Sequence, residues 1–206
     1  SHTVTLHNAN DIEVNNFIIE AGGILDYNSR PFVVHGDLLV DGTYQGNTDR
    51  DLSLDGLDTR IEGTGTIAGG FIIPQGNKTV SSSSSLAVSA GDISLGSSVF
   101  VINHGEISLD GSIFGTDISS IWMNEENSIL ELTGELLSTG TLRALATANL
   151  LEYSGGDQVI KTPFSSSYYD LTVSGSGTKT LSNSISIQGD LLINGTSNLD
   201  ASLNNY

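Results

Sequence analysis

Ile12-Glu13-Val14, Phe32-Val33-Val34 and Leu52-Ser53-Leu54 are three short phrases set twenty residues apart, and their reading decides the fold. In each, apolar residues stand two apart, the spacing that places side chains on one face of a strand. Between the first two phrases the same twenty-residue offset relates Ile18 to Leu38, Ile19 to Leu39 and Gly22 to Gly42. An antiparallel sandwich also has short strands and frequent turns, but it does not demand a constant register. A coil of about 20 residues with two or three strands predicts a parallel β-solenoid. One coil cannot bury its apolar side alone. Stacked coils can, because equivalent aliphatics form shared columns while backbones pair about 4.8 Å apart.

Working outward, short β-branched runs recur along the chain: Val4-Thr5-Leu6, Phe17-Ile18-Ile19, Phe71-Ile72-Ile73, Val99-Phe100-Val101-Ile102 and Ile185-Ser186-Ile187. Gly, Asn and Asp punctuate them, as turns punctuate strands. Only Thr141 to Leu151 could hold a turn or two of helix, and it also reads as strand. A second phrase repeats at Gly36-Asp37-Leu38-Leu39-Val40-Asp41-Gly42, Gly105-Glu106-Ile107-Ser108-Leu109-Asp110-Gly111 and Gly189-Asp190-Leu191-Leu192-Ile193-Asn194-Gly195. Weaker copies lie at Gly91 to Leu95 and Gly134 to Leu137. The expectation is an all-β parallel β-helix (β-solenoid) of about 20 residues per coil and about ten coils, one segment spanning residues 1–206. Gln45 to Asp58, Ser81 to Ser85 and Ser154 to Tyr169 break the rhythm and read as longer turns projecting from the rod. Residues 185–206 restart the unit of residues 12–28 and stop within it, so a fragment of a longer repeat protein is expected.

Composition narrows the function. Seven Lys and Arg against 24 Asp and Glu give a formal net charge of −17. Nucleic-acid phosphates and anionic membrane surfaces both require clustered cations, so neither is an expected partner. No apolar run reaches the 18 residues of a membrane-spanning helix. The absence of cysteine removes disulfides, thiolate metal sites and thiol catalysis.

Leu151-Glu152-Tyr153-Ser154-Gly155-Gly156-Asp157-Gln158-Val159-Ile160, with Tyr168-Tyr169-Asp170-Leu171-Thr172-Val173 and Ser174 to Leu181, resembles repeats in large secreted surface proteins of Bacteroidetes. Ser1 to Leu6 and Ile18 to Asp26 are similar to the opening of such an array. The resemblance implies right-handed parallel β-helices in adhesin-like stalks, exported by the type IX secretion system. It implies an extracellular, cell-surface location, with adjoining segments of the same polypeptide, surface glycans or other cell-surface proteins as partners.

Asn47-Thr48-Asp49 and Asn103-His104-Gly105 invite comparison with polygalacturonase signatures, but the Asp-Asp pair that acid–base cleavage needs is missing between them. Asp49, Asp51, Asp55 and Asp58 supply hard oxygen ligands dense enough for Ca²⁺. Their spacing matches neither an EF-hand nor a glycine-rich calcium repeat, so acids on solvated turns are the preferred reading and no cofactor is expected. Arg50 and Arg60 read as turn or surface cations. His2, His7, His35 and His104 lack metal-site spacing. The pairs Thr3/Thr5, Thr64/Thr66, Thr139/Thr141 and Thr178/Thr180 do not follow coil upon coil, which argues against an ice-binding file. Trp122, Tyr153, Tyr168 and Tyr169 could form a sugar-stacking platform, although burial is the commoner fate of such residues. The expected function is a non-enzymatic stalk or display element without catalytic residues; a carbohydrate-binding or polysaccharide-cleaving β-helix is the alternative.

Overall fold

The computed structural model describes residues 2–6, 12–27, 31–46 and 52–202. All paired strands run parallel, and no α-helix occurs among the described residues. Most strands are three to five residues long, as expected where Gly, Asn and Asp close each apolar run. They stack into three sheets around one core. Sheet A holds ten strands, from His2–Leu6 to Leu191–Ile193. Sheet B runs from Ile12–Val14 to Ile113–Gly115, and sheet C from Phe17–Ile19 to Thr141–Arg143. Short continuations carry the second and third faces onward, through Gln158–Ile160, Ser176–Leu181 and Thr196–Asp200 and through Ser167–Tyr168 and Ser186–Ile187. Ten strands in sheet A enclose about nine turns of about 21 residues, slightly fewer and longer than the sequence suggested. At the parallel-strand spacing those turns rise about 43 Å.

The deciding phrases stack as expected: Ile12 pairs with Phe32 and Phe32 with Leu52, while Val14 pairs with Val34 and Val34 with Leu54. In sheet C the register slips by one. Phe17 pairs with Leu38, Ile18 with Leu39 and Ile19 with Val40. The cause is local: Asn15 and Asn16 turn the first corner, whereas His35, Gly36 and Asp37 turn the next. The following corner is shorter than the one beneath it, so Ile24 pairs with Thr43 and the average period survives. Gly42 consequently sits over Gly23 rather than Gly22, where a Cβ would lie 2.2 Å from the Gly23 carbonyl oxygen. Corner length absorbs the variation and strands do not.

The repeated Gly-acid-aliphatic phrase falls on all three faces: Leu38–Val40 in sheet C, Ile93–Leu95 in sheet B, Glu106–Leu109 and Leu191–Ile193 in sheet A. It marks a corner and the strand after it, one third of a coil. Thr141–Arg143 and Leu150–Tyr153 are strands, so the segment with helical potential is extended. The serine run does not project. Ser81 to Ser84 forms a tight corner, with the Ser84 amide bonded to the Ser81 carbonyl at 2.9 Å and Ser84 itself buried.

One file shows how the core is built. Val4, Leu25, Tyr44, Ile67, Val88, Leu109, Leu132, Tyr153, Val173 and Ile193 are successive register partners along the inner side of sheet A. The eight inner members are buried, while Val4 and Ile193, the two ends, are 54% and 47% exposed. Burying one such aliphatic side chain contributes about 1.5–3 kcal/mol, which makes stacking the dominant stabilising term.

Candidate functional site

Polar groups at the corners hold adjacent coils together. Asp37 Oδ1 accepts the backbone N–H of Arg60 at 2.8 Å, and Asp92 Oδ1 that of Ser112 at 2.8 Å. Asp157 does the same for Thr178 at 2.7 Å, and Asp170 for Asp190 at 2.7 Å. Asn16 and Ser112 make equivalent bonds to Asp37 and Glu135. A corner amide that the strand ladders leave over is thereby satisfied by the coil before it. The acids in the repeated phrase therefore have structural work beyond solubility.

The lysines turn onto backbone carbonyls, Lys78 and Lys179 buried and Lys161 half-buried. Lys78 stands in an inner file of sheet C between Thr59 and Val101, and its Nζ donates to the Gly56 and Gln75 carbonyls at 2.6 and 3.1 Å. Burial lowers its pKa to about 8, against the pull of Asp55 and Asp58. Lys179 donates towards four corner carbonyls, Gly155, Gly156, Ser174 and Ser176, at 2.7–2.9 Å. Lys161 Nζ reaches the Leu137 carbonyl at 2.5 Å. Desolvation lowers the pKa of both. These are all three lysines of the chain, so the outer surface is more anionic than the composition alone conveys.

A recess on the described surface lies where the second face is interrupted. Sheet B passes from Ile113 to Leu136 by a single bridge, and the ladder resumes at Gln158–Ile160. Two adjoining hollows of about 400 and about 570 Å³ open there and share Glu135 and Val159. Phe114, Asp157, Lys161 and Asn183 complete the principal lining. Val159 is 57% exposed and offers an apolar floor. Lys161 is turned onto a backbone carbonyl and Asp157 onto a backbone amide, which leaves Glu135 as the carboxylate free of such a clamp through its side chain. Sequence reading missed this groove because a lapse in strand pairing makes it, and no motif signals that.

Of the four calcium candidates, Asp49 and Asp51 lie outside the described residues, as does Asn47-Thr48-Asp49. Asp55 Oδ1 bonds His35 Nδ1 at 2.6 Å, and Asp58, at φ 50°, accepts from the Asn77 amide at 2.7 Å. Among the described residues no three His, Asp or Glu side chains gather at metal-binding distance. His35 also approaches Glu13 at 3.4 Å, and these two carboxylates raise its pKa. His104 lies at the corner joining sheets C and A, beside Arg60, Glu62 and Ser81. Its neighbour Asn103 points inward and is buried. Trp122, Tyr153 and Tyr168 are buried and form no platform. The Thr-x-Thr pairs are scattered over different faces and corners.

The fold and its corners define a parallel β-solenoid repeat segment. No family model, curated protein or solved structure matches the chain.

Proposed function

We propose that this chain is a non-enzymatic spacer, a stiff stalk segment of an extracellular, adhesin-like surface protein. The observation that carries the reading is the destination of its polar side chains. Corner carboxylates and all three lysines bond backbone groups, most of them in an adjoining coil. Side chains consumed in this way stiffen the rod and are not left free to bind or turn over a substrate. The extracellular placement rests on the likeness of residues 151–181 to Bacteroidetes surface repeats. A glycan array, with reducing-sugar and unsaturated-product assays on acidic polysaccharides, tests the proposal; a spacer gives blanks throughout.

The groove around Glu135 and Val159 favours a second reading, a carbohydrate-binding β-helix. Its volume suits one or two sugar rings. A reproducible array signal abolished by Glu135→Ala and Val159→Lys would replace the spacer reading with this one.

A further inference from the structure

Lys179 sits in a cage that holds more oxygens than it can donate to. Its Nζ lies 2.7, 2.8, 2.9 and 2.7 Å from the carbonyl oxygens of Gly155, Gly156, Ser174 and Ser176. An ammonium has three N–H donors, so four oxygens at that range surround it as they would a spherical ion. They belong to two stacked corners. Gly155 and Gly156 lie in the corner that leads into Gln158–Ile160, and Ser174 to Ser176 turn the next coil into Ser176–Leu181. Lys179 is fully buried, between Gln158 and Leu199 in its register file. Asp157, whose Oδ1 accepts the Thr178 N–H at 2.7 Å, adds a negative charge close by. Lys78 supplies the contrast. It too reaches a glycine carbonyl of the preceding coil and the carbonyl three residues before itself, Gly56 and Gln75, but these two are fewer than its donors.

We propose that the two corners around Lys179 form a binding site for a monovalent cation, which the chain fills with its own side chain. The shell of oxygens is wider than the about 2.3–2.6 Å that calcium takes. Main-chain carbonyls are also the ligands that replace the hydration shell of potassium. Potassium and ammonium are therefore the free ions that the cage fits once the side chain is gone. Tethering the cation frees this junction between coils from any dependence on dissolved ions. Removing the tether makes the stability of the rod depend on which cation the solution holds. The site is defined by its own oxygens, so it stands whether the rod is a spacer or binds sugar.

Lys179→Ala tests this, because it removes the ammonium and leaves room for an ion. Thermal melts followed by circular dichroism compare potassium, ammonium and tetramethylammonium chloride at equal ionic strength, which holds general screening constant. The variant should melt below the wild type in tetramethylammonium and regain several degrees in potassium or ammonium. The gain should grow by an equal step for each tenfold rise in the ion once the site is half filled. Where the variant is unfolded in tetramethylammonium, the same titration reads refolding instead. Two further variants serve as controls. Lys179→Met fills the space with an apolar chain, and Lys78→Ala opens a corner with two carbonyls. Both should differ between the salts no more than the wild type does. A Lys179→Ala chain that gains nothing from potassium or ammonium over tetramethylammonium, folded or not, overturns the proposal. An equal gain in Lys179→Met or Lys78→Ala overturns it as well, because the cage is then not its source.

Discussion

The side-chain amide of Asn103 donates to Oδ1 of Asn124, its register partner one coil further on, at 3.2 Å inside the core. Trp122 Nε1 donates to the same oxygen at 2.9 Å. The Asn103 amide also meets the Ile129 carbonyl at 3.0 Å, and the Asn124 amide meets the Leu150 carbonyl at 3.3 Å. Two amides thus close a corner from within. Asn124→Leu keeps the branched outline of the side chain but strips Trp122 and Asn103 of this shared acceptor. Each buried group left unpaired costs about 1–3 kcal/mol. Urea unfolding followed by the fluorescence of the single tryptophan should show a clearly lower midpoint.

Glu131 and Glu152 are register partners that face outward on sheet A, with like charges side by side. Serines relieve them in part, Ser108 bonding Glu131 at 3.1 Å and Ser174 bonding Glu152 at 2.5 Å. Glu131→Gln should stabilise the fold by about 0.2–1 kcal/mol, the range for cross-strand pairs. The gain should shrink at high salt, which thermal melts at two ionic strengths would reveal.

Alkaline pH acts in two opposed ways. Lys78 has a folded pKa of about 8 against an ordinary 10.5, so between those values the fold binds fewer protons than the unfolded chain. Stability therefore rises with pH across that window. Burial pushes Tyr153 up to about 12 and raises Tyr168 as well. Above the ordinary tyrosine value of 10.0 the unfolded chain gives up protons that the fold retains, and stability falls. Urea midpoints at about pH 7, 9.5 and 11.5 should rise and then drop. Lys78→Met should reduce the rising limb, to which Lys161 and Lys179 also contribute, and spare the falling one.

His35 reports on the acidic side. Its hydrogen bonds to the carboxylates of Glu13 and Asp55 raise its pKa above 6.5. Its stabilising contribution is complete below the unfolded value and disappears as pH climbs through the folded one. An NMR titration should place the folded pKa above 6.5, and Asp55→Asn should lower it.

Gly175, at φ +69°, crosses the preceding coil so closely that a Cβ would lie 2.0 Å from the Ser154 carbonyl oxygen. Gly175→Ala should destabilise the fold by well over the ~1 kcal/mol of an ordinary glycine replacement. A melt of that variant against Gly156→Ala, where a Cβ meets nothing within 4 Å, isolates the backbone effect.

The architecture was legible where unequal corners cancel over a whole coil. Val14, Val34 and Leu54 stack at a strict twenty although sheet C between them steps by 21 and sheet A by 19. Ile18 and Leu38 are also twenty apart, yet they do not pair, because one extra residue at His35 to Asp37 shifts the strand. Lys78 and Lys179 stand among polar and glycine residues, and nothing in those segments marks them for the interior. Only the stacked corners reveal the carbonyls that draw them inward. The groove at Glu135 and Val159 comes from a missing ladder, a property of pairing that no single segment encodes.

The carboxylate bonds at the corners have a direction: Asp37, Asp92, Asp157 and Asp170 each receive an amide from chain that comes later. At these four corners each circuit therefore carries the acceptor that the circuit above it needs, so a winding laid on top is seated by side chains belonging to the one below.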